Sequence, residues 1–511
     1  MQIWAGFMTA LVAISLWGGA AHVFSESVLV ASPSGVWAFV SSNSGLLVRA
    51  TLTTAQNAAL GFVWGNIAAV IMAGLVTMQP RAERVVSASA LVIFCLPLVA
   101  TGPILRVISG PGSAPQIALA GLAVYYTTYL ALLVGLRAMP RSWSDLMSVY
   151  GRGSFMTLIT VRARASLPYL FAGLQIAAPA AFLGAMIGEF TGAERGLGVL
   201  TLRAMRGLDV DATWSLALIS ATVAVLAYAL VGRIGERLVG YAPVIILSPP
   251  KPPTRRNIWP GIAEMVAAAL FLLLLWQVAM DVFQLNRFFA KRPGDVVRYL
   301  AADADARLTL WVALKETMAA TIPGFLSGLL LGAGLAVAVI LFPKATRVVL
   351  PVAVALRSIP IITTAPLIVL ALGRGATGTI TVVAVMIFFP TFVACLQGLR
   401  QAPQQIIDVF HTYGAGPVRV LGAAQIPAMM PALFASAKMA VPAAILAVTT
   451  TEWLATGKGI GVLMALTSTT SNYNMLWSCI VAITLVAVVM YAAVLWAERM
   501  VLAIYASEQL T

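Results

Sequence analysis

Charge is scarce in this sequence. Only 10% of its 511 residues are Asp, Glu, Lys or Arg, against about a quarter in an ordinary soluble domain. With 60% hydrophobic residues and a mean hydropathy of +0.94, too little polar surface exists to clothe the apolar mass in water. A soluble globular protein is excluded, and the chain reads as membrane-embedded. Histidine is scarcer still: His22 and His411 alone leave no basis for a histidine-rich metal site. The three cysteines, Cys95, Cys395 and Cys479, lie singly in apolar segments without metal-ligand spacing, so they read as small packing residues. A Gly-x-x-x-x-Gly-Lys-Ser/Thr phosphate loop is also missing, since Thr456-Gly-Lys-Gly-Ile-Gly has the wrong spacing. The net charge of +14 does not imply nucleic acid, which needs a dense basic stripe. Here the basic residues stand singly between apolar runs, as topology signals and contacts for anionic lipid headgroups.

What is abundant is long apolar runs. Stretches of about 20 such residues mark bilayer-crossing helices. They are expected near 4–23, 53–77, 86–105, 115–136, 170–190 and 213–232, and again near 260–282, 317–342, 348–371, 377–397, 433–453 and 475–496. The first has a signal-peptide-like Gly-Ala-Ala-His at 19–22, but no basic residue precedes it and an equivalent span opens the second half at Ile262. It is therefore expected to be retained. Two halves that face the same way each need an even number of crossings, which puts both termini and the central linker on one side. That side carries Arg81, Arg84, Arg141, Arg152, Arg162, Arg164, Arg255 and Arg256. The positive-inside rule makes it cytoplasmic.

Self-similarity is the strongest pattern in the chain. Adding 263 takes Thr54 to Thr317, Gly61-Phe62 to Gly324-Phe325, Pro97 to Pro360 and Pro103 to Pro366. It takes Gly135-Leu-Arg137 to Gly398-Leu-Arg400, and Pro179 to Pro442. Glu189, Gly196, Gly198, Trp214 and Tyr228 likewise become Glu452, Gly459, Gly461, Trp477 and Tyr491. Matches at Gly, Pro, Trp and charged positions are hard to reach by chance, so the chain is a duplication. The expected units are 1–247 and 259–511, joined by a Pro-rich, basic cytoplasmic linker over 248–258. The expected fold is an all-α integral membrane protein of about twelve transmembrane helices, arranged as two parallel six-helix repeats. Such repeats pack about an axis along the membrane normal, with the substrate path between them.

Between the fourth and fifth spans of each half lies a polar segment of about 30 residues. In the second half it runs Asp408-Val-Phe-His-Thr-Tyr413-Gly414-Ala-Gly and on to Gln425-Ile-Pro427-Ala-Met-Met-Pro431. In the first, Asp145, Tyr150, Gly151 and Pro168 hold the matching places. A helical run that breaks at Gly, resumes and stops at Pro suggests two short helices with a sharp turn between them. This segment resembles the cytoplasmic "EAA" loop of binding-protein-dependent ABC importers. The endings Gly188-Glu-Phe-Thr-Gly-Ala-Glu-Arg-Gly-Leu-Gly-Val-Leu200 and Thr451-Glu-Trp-Leu-Ala-Thr-Gly-Lys-Gly-Ile-Gly-Val-Leu463, with Leu356-Arg-Ser-Ile-Pro360, resemble the nitrate/sulfonate/taurine branch. The acidic position holds Asp rather than Glu, followed by Leu-Met or Val-Phe rather than a small pair. The first half also has Ala163-Arg164 where the second has Ile426-Pro427.

The resemblance implies that these loops dock on two separate ABC ATPase subunits, which hold the ATP and Mg; this chain binds no cofactor or metal itself. It also implies a periplasmic or lipid-anchored solute-binding protein. The cargo would be a small organic or inorganic anion such as a sulfonate or nitrate, or a vitamin precursor. Ionisable groups at membrane depth are functional candidates, which singles out Glu189, Glu452 and Arg357. The repeated glutamates suggest a gating or structural role; Arg357, which has no counterpart, could meet an anionic solute or lie at the cytoplasmic boundary. Lys438 is expected at the interface. Thr363, Thr364, Thr449, Thr450 and Thr451 could line a polar path or bond back to their own helices. The rival reading is an ion-coupled secondary transporter, which would need a midplane carboxylate relay and a long central loop.

Overall fold

A computed structural model describes residues 30–110, 112–139, 141–239, 258–342 and 375–505, with single positions between 15 and 22 and between 365 and 373. No strand occurs among them. This follows from the solvent: in hydrocarbon every backbone N–H and C=O must find a partner within the protein, and a helix supplies one locally. In the first half α1 (Pro33–Ser42) begins at Ser32, whose hydroxyl accepts from Gly35 N at 3.0 Å, with Pro33 preset for the first turn. After it come α2 (Ser44–Met78), α3 (Glu83–Cys95), α4 (Leu98–Ser109), α5 (Ala114–Arg137) and α6 (Arg141–Val149). The half ends with α7 (Ser154–Phe190), α8 (Leu197–Arg206) and α9 (Val210–Val239). The second half comprises α10 (Ile258–Val282), α11 (Pro293–Ala302), α12 (Ala304–Leu341), α13 (Ala376–Arg400), α14 (Gln404–Thr412), α15 (Pro417–Thr456), α16 (Ile460–Thr469) and α17 (Tyr473–Tyr505).

The duplication is visible in three dimensions. Adding 263 carries 141–149 onto 404–412 and 197–206 onto 460–469, so α6 falls on α14 and α8 on α16 residue for residue. Among the described residues, α2, α5, α7, α9, α12, α13, α15 and α17 are long and apolar enough to cross a membrane. They coincide with eight of the twelve expected spans. The span expected at 260–282 falls in α10. Those at 4–23 and 348–371 lie almost wholly outside the described residues, as does the linker 248–258.

The span expected at 86–105 is not one straight helix. α3 and α4 meet at 93°, because Pro97 removes an N–H and pushes Leu96 out of the helical region to φ −64°, ψ 131°.

Packing is by small residues. Gly61 and Gly65 of α2 meet the backbone of α5, and Gly324 and Gly328 of α12 meet α13 in the same way. The two halves interlock: Cys95, Ala100 and Ile104 of the broken span share one apolar cluster with Val441, Ile445, Met464 and Cys479. A tryptophan pair forms in each half, with Trp214 and Trp477 as the members related by the repeat. Trp17 stacks on Trp214 at 6.1 Å, and Trp276 stacks on Trp477 at 5.1 Å.

Candidate functional site

The segments between the fourth and fifth spans are built alike. α6 ends in a turn where Gly151 N donates to Ser148 O and Arg152 N to Met147 O, both at 3.0 Å. α14 ends with Gly414 N to His411 O and Ala415 N to Phe410 O, both at 2.9 Å. This paired closure needs a left-handed residue after the helix, and Gly151 (φ 65°) and Gly414 (φ 69°) supply it. The expected turn at Gly is present; the expected stop at Pro is not. α7 and α15 run unbroken through Pro168 and Pro431 into the fifth spans. A wide π-turn precedes them in each half, over Leu158–Arg162 and Leu421–Gln425. Pro427 stands one residue beyond that turn, in the first turn of the following helix, where a residue without an N–H is tolerated.

Polarity is the second correction. Trp143, Leu146, Val149 and Phe155 stand exposed in the first half, and Ile406, Val409 and Val418 in the second. Tyr150 and Tyr413 are 71% and 86% exposed, among the most open aromatic side chains described. Asp145 and Asp408 are also exposed, and Asp408 accepts from Gln404 Nε2 at 2.9 Å. Trp143, Leu146 and Met147 of α6 face Val161, Arg164 and Ala165 of α7 across an open apolar hollow. A protruding element this apolar has the character of an interface core with a charged rim.

At the other end of the fifth spans, Glu189 and Glu452 are only 1% and 4% exposed. Thr54 Oγ1 donates to Glu189 Oε1 at 2.7 Å and accepts from Leu197 N at 2.8 Å, while Gly198 N donates to Glu189 Oε2 at 2.7 Å. In the second half Ile460 N donates to Thr317 Oγ1 and Gly461 N to Glu452 Oε2, both at 2.9 Å. Each carboxylate and its threonine thus satisfy, one apiece, the first two N–H groups of a short helix, α8 or α16, which have no partner inside that helix. Gly196 (φ 133°) and Gly459 (φ 91°) precede those helices, and a Cβ at either would run into the glutamate. Each latch joins the start of the second span, the end of the fifth and the short helix between the last two spans. One difference stands out: Gly459 N also donates to Glu316 Oε2 at 3.1 Å, where the first half has Thr53.

The remaining candidates fall apart spatially. Arg357, Thr363 and Thr364 lie outside the described residues. Thr449, Thr450 and Thr451 are buried and donate to the carbonyls of Ile445, Leu446 and Ala447 at 2.6–2.7 Å. Lys438 is not interfacial: it is 3% exposed, and its Nζ lies 2.8 and 3.0 Å from the carboxylate of the buried Glu498. Sequence reasoning missed this pair because the repeat places Gln175 and Gly235 at the matching positions. Glu316 was missed for the same reason. The latch itself had a signal, since Thr54, Glu189 and Gly196 all recur at the same offset.

The family model described as "Binding-protein-dependent transport system inner membrane component" matches the chain twice, over residues 65–240 and 328–502. The two matches start 263 residues apart, as the repeat does. Among relatives, a "Probable ABC transporter permease protein" of Haemophilus influenzae is 27% identical over 225 residues, 44% of this chain and 91% of that protein. A formylaminopyrimidine transport permease of Halalkalibacterium halodurans is 26% identical over 38% of this chain and 76% of its own length. A riboflavin transport system permease of Chloroflexus aurantiacus is 24% identical over 50% of this chain and 96% of its own. Half or less of this chain covers 76–96% of each relative, as expected if two such units are fused.

Proposed function

Since the chain belongs to the binding-protein-dependent transport system inner membrane components and carries that unit twice, we propose that it is the complete membrane pathway of an ATP-driven importer. Residues 1–247 and 259–511 take the places of two permease subunits. The loops at Asp145–Pro168 and Asp408–Pro431 dock on two separate ATPase subunits, which supply the nucleotide site and its Mg. A solute-binding protein delivers cargo at the opposite face. With the docking loops cytoplasmic, both termini are cytoplasmic too. The observation that carries this reading is the pair of exposed, apolar helix-turn elements at matching positions, each continuous with a membrane-crossing helix. A lever rigidly joined to a span transmits a domain motion as rocking of that span.

The cargo is a small solute. Two of the relatives above are named for heteroaromatic vitamin-related molecules, formylaminopyrimidine and riboflavin, and the sequence branch adds sulfonates and nitrate. Reconstitution into liposomes with a candidate ATPase and binding protein, followed by uptake of labelled formylaminopyrimidine, riboflavin, taurine and nitrate, separates these classes. ATP-dependent accumulation of one of them supports the reading. Accumulation driven by a proton or sodium gradient without ATP would instead support a secondary transporter.

A further inference from the structure

Two residues related by the repeat can touch only if both lie beside the axis that relates the halves. Phe190 and Trp453 are such mates, because 190 + 263 = 453. Their ring centroids are 6.1 Å apart at 66°, an edge-to-face contact. Each ring therefore lies roughly 3 Å from the axis, half that separation. A second mated pair, Leu183 and Leu446, belongs to the same apolar cluster, together with Val99, Ile187 and Leu454. Leu183 and Leu446 stand seven residues before the aromatic pair, about 10 Å or two turns along their helices. Phe190 is buried, while Trp453, Leu183 and Leu446 are partly covered. The two mated pairs thus lie along one continuous apolar seam between the halves.

The rings also sit at a defined depth. From Ala163, just past the π-turn, to Phe190 the helix has 28 residues, about 42 Å, which exceeds the roughly 30 Å hydrocarbon layer. The pair therefore lies at the end of the path opposite the docking loops. Each ring follows a latch glutamate directly in sequence, Glu189 before Phe190 and Glu452 before Trp453. The latch fixes each ring to the start of its second span and to the short helix beyond, so each ring moves with its own half.

We propose that Phe190 and Trp453 form the gate that closes the transport path at its outer mouth, and that it opens when the two latched units separate. This rests on the permease reading for what passes through; the closure itself does not depend on it. A Leu183→Cys variant reads the gate from outside, with a charged, membrane-impermeant maleimide added opposite the docking loops. The native cysteines Cys95, Cys395 and Cys479 are buried and form a constant background.

Labelling at position 183 is expected to be slow. Adding Phe190→Ala, or independently Trp453→Ala, should speed it about tenfold or more. The exchange Phe190→Trp with Trp453→Phe keeps an aromatic pair and should leave labelling slow. Variants are compared only as monodisperse protein. Equal labelling in all variants, or an exchange variant that labels as fast as Phe190→Ala, would overturn the proposal. If an ATPase partner binds, vanadate trapping should also speed labelling of the parent; unchanged labelling in a trapped, hydrolysis-competent complex would contradict the opening step. Failure of any ATPase to bind would count against the permease reading alone, since the alanine comparison needs no partner.

Discussion

Glu189 and Glu452 are expensive residues to bury, and the structure shows what offsets that cost. Each accepts one N–H group that would otherwise be unpaired at a helix start within the protein interior. Replacing Glu189 with Ala leaves Gly198 N short of a partner and leaves the Thr54 hydroxyl to donate to Ala50 O alone. That should lower stability by about 1–3 kcal/mol, read as a lower melting temperature in detergent. Glu189→Gln keeps an oxygen for Gly198 and should recover much of the loss; a Gln variant as unstable as Ala would show that charge, rather than hydrogen bonding, is what matters. The Lys438–Glu498 pair gives a contrasting case. Lys438→Met strands a buried carboxylate and should cost about 3–5 kcal/mol, whereas Lys438→Met with Glu498→Leu should recover most of it. A double variant no better than the single one would mean that the carboxylate is satisfied by something other than Lys438.

At the scale of elements, α6 and α14, the helices proposed to dock, had the clearest local signature. Asp408 to Gly414 reads as a helix ending in a left-handed glycine, and the structure closes it that way. Pro431 misled, because its position as a stop assumed an ordinary α-helix, and the π-turn at Leu421–Gln425 was not encoded in any single residue. The exposed apolar face was hidden for a related reason. Beside spans that are apolar throughout, the segment reads as polar, and only the packing shows that Val409 and Tyr413 stand open on its surface. Gly414→Pro forces φ from 69° to about −65° and should unfold the turn. Tyr413→Ala and Val409→Lys leave the turn intact and should weaken ATPase association by tenfold or more, measured by binding to the detergent-solubilised chain. Normal association in all three would remove α14 from the docking role. The break of the third span at Pro97 was likewise legible in principle, since Pro97 recurs as Pro360, but a hydropathy window cannot tell a bent pair from a straight helix.

Across the whole molecule, duplication explains both what the sequence revealed and what it concealed. Matched residues reported the architecture: the helix order, the turns at Gly151 and Gly414, and the latches all follow one offset. Unmatched contacts escaped, Glu316 beside the second latch and Lys438 with Glu498, and they join Ala163-Arg164 opposite Ile426-Pro427 as places where the halves have diverged. The inter-half contact of Phe190 with Trp453 was not legible at all, since no periodicity says which face of a uniformly apolar helix meets its mate. Divergence also predicts unequal coupling. Asp145→Lys and Asp408→Lys should reduce ATPase-coupled uptake by different factors, the larger loss falling on the second half, which keeps Pro427; equal losses would show that both loops drive the path alike.

The central claim is that two ATPases drive this chain through its paired loops. The most direct test co-purifies the chain with its candidate ATPase in lipid nanodiscs and compares ATP hydrolysis in the parent and Gly414→Pro proteins. A stable complex whose hydrolysis, stimulated by the binding protein, is lost on Gly414→Pro is the predicted result. A chain that binds no ATPase, yet accumulates solute in liposomes under an ion gradient alone, would contradict it.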